Sequence, residues 1–233
     1  METAEIWVAT FDIGHRNFSF YVEAIDREAL ANIPMVPSRQ RHEPDGTPTK
    51  EFRKVLKKLY TVGHTILMRV EDIGGGCKKG DNKSAYLREV KYNMNDLLDR
   101  YRNYWNRCDV IVIEEQMNFG KNKTNKDALE LAHHCESYFL LQYSRFKQVM
   151  MFPAYHKTQL LGIPKVKAAR RKNGWAAPSK DARKKWAVEK ARAILSYRDD
   201  MKTLQQFESR TKKDDMADCI LHAVAFTYIH LIE

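Results

Sequence analysis

The chain has 233 residues, 43% of them hydrophobic, which is most simply one domain able to bury a full core. Its 40 Lys and Arg against 30 Asp and Glu leave a formal net charge of +10, so its surface should attract polyanions. Four cysteines without C-x-x-C spacing argue against a zinc site or a disulfide framework, and no apolar run is long enough for a membrane span.

The first residues, Met1-Glu2-Thr3-Ala4-Glu5, are too acidic for a transit peptide and precede no signal-type apolar block. With the thiols read as reduced, the expectation is an intracellular protein that is not secreted. Ile6 to Gly14 reads as an apolar strand carrying one carboxylate, Asp12, and closed by a glycine. After the turn His15-Arg16-Asn17, Phe18 to Ile25 is rich in β-formers, and the two runs read as a hairpin. Residues 32–50 hold four of the seven prolines and are expected to be a mobile loop. Glu51 to Leu59 has a helical flavour, and Thr65 to Val70 offers a third strand.

Gly74-Gly75-Gly76 with Lys78, Lys79 and Lys83 lacks the G-x-x-x-x-G-K-[ST] spacing of a phosphate loop and reads as a solvated connection. From Ser84 to Asn106 the apolar positions Leu87, Val90, Met94, Leu97, Leu98, Tyr101 and Trp105 predict one long amphipathic helix. It leads to Val110-Ile111-Val112-Ile113, an unbroken apolar run typical of a strand covered on both faces, with Glu114-Glu115-Gln116 at its carboxyl end. A buried strand after a crossing helix points to an α/β layer structure, in which function commonly sits at that end of the strand.

Asn118 to Lys126 is a basic, amide-rich loop carrying Lys121 and Lys123. A helix follows with Ala128, Leu131, Ala132, Cys135, Tyr138 and Phe139 on one stripe, read as core or dimer contact. Val149 to Phe152 is a short strand. A basic loop near 164–178 carries Lys165, Lys167, Arg170, Arg171 and Lys172 ahead of Trp175, and reads as either a phosphate-tracking segment or a basic linker. Ser179 is a plausible N-cap for a helix to Ser196 that presents Lys184 and Lys185. The last helix starts near Asp214, read as its N-cap, and buries Ala217, Ile220, Val224 and Tyr228. His133, His134 and His222 read as structural, although His222 follows Asp218 by one turn.

Asp215 and Asp218, three apart on a helix, lie about 60° apart around its axis and share a face. Singly, Asp12 has an alternative reading as a strand-end turn residue, Glu114 or Glu115 as the start of a surface loop, and Asp215 as a helix-dipole partner. Together the acids suggest a site, because gathered carboxylates repel one another unless a cation is present. Mg²⁺ takes such oxygen ligands, and two ions suit in-line phosphoryl displacement.

Phe11-Asp12-Ile13-Gly14, Val112-Ile113-Glu114-Glu115-Gln116 and Asp215-Met216-Ala217-Asp218, in that order across most of the chain, resemble the RuvC-like Holliday junction resolvases of the poxvirus and large-DNA-virus type. The resemblance implies an RNase H-like α/β fold, with a central mixed five-stranded sheet flanked by helices in a single domain over 1–233. It also implies a viral homodimer in cytoplasm or nucleus, acting on branched DNA during recombination and replication. Each site would hold two Mg²⁺ (Mn²⁺ being the alternative) on Asp12, Glu114, Asp215 and Asp218, and nick four-way junctions in pairs. Arg16, Asn17, Gln116, Lys121, Lys123, Arg170, Arg171, Lys172, Lys184 and Lys185 become candidates for DNA contact. The proline-rich segment is longer than the family pattern suggests. Two rivals stand beside this reading: an RNase H-like nuclease of RNA–DNA hybrids, and an inert junction-binding protein.

Overall fold

The computed structural model describes residues 4–75, 83–115, 125–169 and 174–232. Strands β1 (Glu5–Asp12), β2 (Phe18–Asp26) and β3 (Gly63–Glu71) form an antiparallel meander. Strands β4 (Val110–Glu115) and β5 (Gln148–Pro153) then join parallel to β1, giving a mixed five-stranded sheet of order β3-β2-β1-β4-β5. The hairpin expected at the start is therefore present, and the apolar run at 110–113 is an inner strand buried on both faces.

Between these strands lie α1 (Arg27–Ala31), α2 (Lys50–Thr61), α3 (Lys83–Arg100), α4 (Arg102–Trp105) and α5 (Lys126–Tyr143). After β5 come α6 (Tyr155–Leu160), a two-residue hairpin of β6 (Val166–Lys167) and β7 (Trp175–Ala176), α7 (Lys180–Tyr197), α8 (Met201–Glu208) and α9 (Asp214–Leu231). Alternation along the strands sorts side chains into two cores. Val8, Tyr21, Val110 and Val112 face α2, α7 and α9, whereas Ala9, Phe11, Ile111 and Ile113 face α3, α4 and α5. Helix α9 is buried nearly all round from Met216 to Tyr228, which is why its sequence is apolar on every side. Among the described residues no helix is long and apolar enough to cross a membrane.

Several expectations need correction. The helix expected over 84–106 breaks at Tyr101, because Trp105 turns inward to full burial and its indole N–H takes the Leu98 carbonyl at 2.8 Å. Asp214 is the first helical residue of α9 and not its cap; Lys213 holds that position, and the Asp214 side chain pairs with Lys184. The proline-rich segment is tied down at several points. Val36 N–H donates to the Tyr228 hydroxyl at 2.9 Å, Glu43 N–H to the Thr47 carbonyl at 2.8 Å, and Lys165 N–H to the Asp45 carbonyl at 2.7 Å. Ser179 caps α7 as expected, accepting from Ala182 N–H at 3.2 Å.

Candidate active site

The two-residue strand period decides which acids can meet. Asp12 is two residues beyond Thr10, whose hydroxyl donates to the Cys219 carbonyl of α9 at 3.0 Å, so Asp12 also faces α9. Glu114 continues the Val110–Val112 face toward the same helix, and the pairing Phe11↔Ile113 places it beside Asp12. Glu115 falls on the opposite face, is exposed, and is thereby separated from the cluster. Asp215 and Asp218 approach from the first turns of α9.

A fifth side chain, Lys157 of α6, enters this group. Its Nζ lies 2.6 Å from Glu114 Oε2 and 3.1 Å from Asp218 Oδ1, with only 8% of the side chain exposed. His222, one turn beyond Asp218, sets Nδ1 3.4 Å from Glu114 Oε2. Asp215 pairs instead with Lys212 at 3.1 Å. Nothing in the sequence singled out Lys157: it follows a short strand inside a six-residue helix, too brief for periodicity to show.

Electrostatics follow from that crowding. Burial and then the neighbouring Glu114 push the Asp12 carboxyl well above its ordinary value, against the pull of Lys157; Asp218 and Asp215 add to the rise. Burial likewise raises Asp218, with Lys157 opposing and Glu114 reinforcing. For Glu114 burial is overcome by Lys157 and His222, and its carboxyl is held down at about 2. Burial would lower Lys157, yet Glu114, Asp218 and Asp12 together keep it above its ordinary value and charged. Burial also lowers His222, which Glu114 only partly offsets, so its imidazole is neutral at pH 7.

Among the described residues no three Asp, Glu, His or Cys side chains are already arranged to hold a metal ion. The set nevertheless fits a hard divalent cation. All its donors are carboxylate oxygens, and burial first, with the neighbouring Glu114 adding to it against the pull of Lys157, holds Asp12 and Asp218 above their ordinary values, a penalty on the charged forms that a bound cation would relieve. Buried polar atoms also border the group without a hydrogen-bond partner among the described residues: the hydroxyl of Ser19, opposite Asp12 in the β1–β2 register, and Nε2 of His222.

A cavity of about 240 Å³ opens over Lys157 and Asp218, walled in part by Tyr155, Thr158, Arg183 and Lys184. Lys184 is thus brought to the acids, whereas Lys185 lines a neighbouring open groove with Arg192, Lys212 and Lys213. Arg16 is exposed in the loop after Asp12, and the adjacent Asn17 amide, turned to satisfy both neighbours, accepts from Lys212 at 2.6 Å. Gln116, Lys121, Lys123, Arg170, Arg171 and Lys172 lie outside the described residues, as do Gly76, Lys78 and Lys79.

No protein-family model matches the chain. It is 30% identical over 243 residues to "Uncharacterized protein 170L" of Invertebrate iridescent virus 6, a match spanning 98% of this chain and 92% of that one. It is 31% identical over 222 residues to "Uncharacterized protein 97L" of Invertebrate iridescent virus 3, spanning 93% and 98% respectively. Among solved structures, the fowlpox virus resolvase in complex with its substrate Holliday junction DNA matches with a TM-score of 0.50 and 15% identity, over 98% of this chain and 100% of that one. That likeness is one of fold, and the RNase H-like α/β architecture expected from the sequence is the one observed.

Proposed function

The chain belongs to one family with the iridescent-virus proteins 170L and 97L, and from its fold and its acid–lysine cluster we propose that it is a divalent-metal-dependent nuclease that resolves four-way DNA junctions. The observation that carries this reading is the meeting of Asp12, Glu114 and Asp218 around Lys157, from elements some two hundred positions apart. Asp12, Glu114, Asp215 and Asp218 would hold the cation, Mg²⁺ by donor type. When bound, it supplies Lewis acidity toward the phosphoryl group.

The chain's own residues do the remaining work. Lys157, charged throughout the neutral range, holds Glu114 and Asp218 and offers its ammonium to a phosphate oxygen entering the cavity above it. Neutral His222, with its proton on Nδ1, donates to Glu114 and fixes the orientation of that carboxylate. Lys184 and Arg183 line the approach and favour a polyanionic strand. One cluster makes one cut, so two symmetrical cuts require two copies, and the working unit is a homodimer.

The test is cleavage of a synthetic four-way junction, a plain duplex and an RNA–DNA hybrid, each with Mg²⁺ or with chelator. Cutting of the junction alone, only with metal, is expected. Asp12→Asn should lower the rate by about 10³-fold or more while junction binding persists. Cutting of the hybrid alone would transfer the site to RNA removal, and junction binding without any cutting would leave an inert binding protein.

A further inference from the structure

A second cavity, of about 460 Å³, adjoins the catalytic one, since Tyr155, Thr158 and Arg183 line both. Its far side is built by two segments that contribute nothing to the acid cluster. His42 and Gly46 come from the proline-rich segment, and Lys165, Ala177 and Pro178 flank the β6–β7 hairpin. These segments are fastened together. Lys165 N–H donates to the Asp45 carbonyl at 2.7 Å, and His42 Nε2–H donates to the Leu160 carbonyl at the end of α6 at 3.0 Å. Gly46, at φ +84°, sits so close that a Cβ there would meet the Ile163 carbonyl at 3.0 Å and the Lys165 side chain at 3.2 Å. The cavity is therefore a product of the fold and not a gap between loose loops.

Its chemistry is mixed in a particular way. Tyr155 is 42% exposed, and Ile163, Ala177 and Pro178 add flat or apolar surface. Lys165 and Arg183 are exposed cations on the same lining. An apolar, aromatic-bearing slot with cations is what a nucleotide needs, the base stacking on a ring and the phosphate meeting ammonium or guanidinium. The volume falls within the range of ligand pockets and admits one nucleotide without its pairing partner.

We propose that this cavity receives one unstacked nucleotide of the strand being cut, with its base on Tyr155 and its phosphate between Lys165 and Arg183. This rests on the nuclease reading and adds to it a means of recognising branch points. Extruding a nucleotide from continuous duplex costs unpairing and unstacking, whereas at a branch that cost is largely met already. The proline-rich segment and the basic hairpin are thereby assigned one shared role.

A thermodynamic cycle tests the proposal without needing cleavage. Junction affinity is measured in chelator for wild type and Tyr155→Ala, on intact junctions and on junctions with a single abasic nucleotide at each position flanking the branch. At one position the abasic change should weaken wild-type binding about 5- to 150-fold, the range of lost base–aromatic stacks, and should add nothing further in Tyr155→Ala. Ala177→Trp, at an exposed position on the lining, should block the cavity and reproduce that loss. Strictly additive effects at every position would overturn the proposal. So would a loss of free dAMP binding in Ala177→Trp with unchanged junction affinity, which would make the cavity a site for loose nucleotides. If the wild type cuts junctions yet shows no coupling, only the pocket falls; if it neither binds nor cuts them, the nuclease reading falls as well.

Discussion

Asp12 and Glu114 are neighbours on one face of the sheet, yet they titrate in opposite directions. Glu114 is held at about 2, below its ordinary 4.5, so its ionised form favours the fold, and that contribution disappears as pH falls from about 4.5 toward 2. Asp12 lies on the other side of the balance. Its folded value stands above its ordinary one, so the charged carboxylate opposes folding at neutral pH, and the opposition fades as pH falls through the raised value. Asp12→Asn should therefore raise the melting temperature of the metal-free protein at pH 7 by a few degrees, on the scale of about 2–4 °C per kcal/mol for a chain of this length. Mg²⁺ should stabilise the wild type and leave the variant nearly unmoved. Equal stabilisation of both by Mg²⁺ would place the cation elsewhere. Asp12 and Glu114 were legible in the sequence because a carboxylate at the end of an apolar strand is conspicuous. Lys157 was not, since a lysine in a chain with 40 basic residues carries no signal until the fold turns it inward.

The five strands of the sheet and the longer helices α2, α3, α5, α7 and α9 were readable beforehand, from apolar runs, β-formers or helical spacing. Those missed are short. Helices α6 and α8 span six and eight residues, and α8 buries only Thr203 and Phe207, too few positions to set a period. What joins the short elements to the sheet is also non-local. Arg198, at the end of α7, sets Nη2 2.8 Å from Glu23 Oε2 of β2, donates from Nε to the Tyr60 carbonyl at 2.8 Å, and bonds the Tyr21 hydroxyl. Both charged side chains are at most 3% exposed. Arg198→Met strands the Glu23 carboxylate and should destabilise the fold by about 3–5 kcal/mol, measured by urea unfolding. Pairing it with Glu23→Gln should recover much of that loss, because the expense lies in the uncompensated charge. A full effect in the double variant would instead locate it in lost packing.

At the scale of the whole molecule, the described surface carries unusually bare apolar side chains at one end of α5. Leu141 is 84% exposed and Phe146, just beyond, 94%. This end of α5 is offered as the contact surface that the proposed homodimer would require. Replacing both with Asp should leave a folded monomer by sedimentation that nicks a junction once instead of resolving it. A variant that remains dimeric would put the interface elsewhere. Charge and the acid pattern pointed to the polyanionic partner from sequence; this patch did not, because exposure is a property of the packed chain. The acids themselves come from β1, β4 and α9, some two hundred positions apart at the extremes, and α9 fills the core beneath them. A nascent chain that has not yet released α9 from the ribosome thus has neither a completed cleft nor a closed interior. On the proposed nuclease reading, no cut can be made until α9 has docked and brought Asp218 to Lys157 and Glu114.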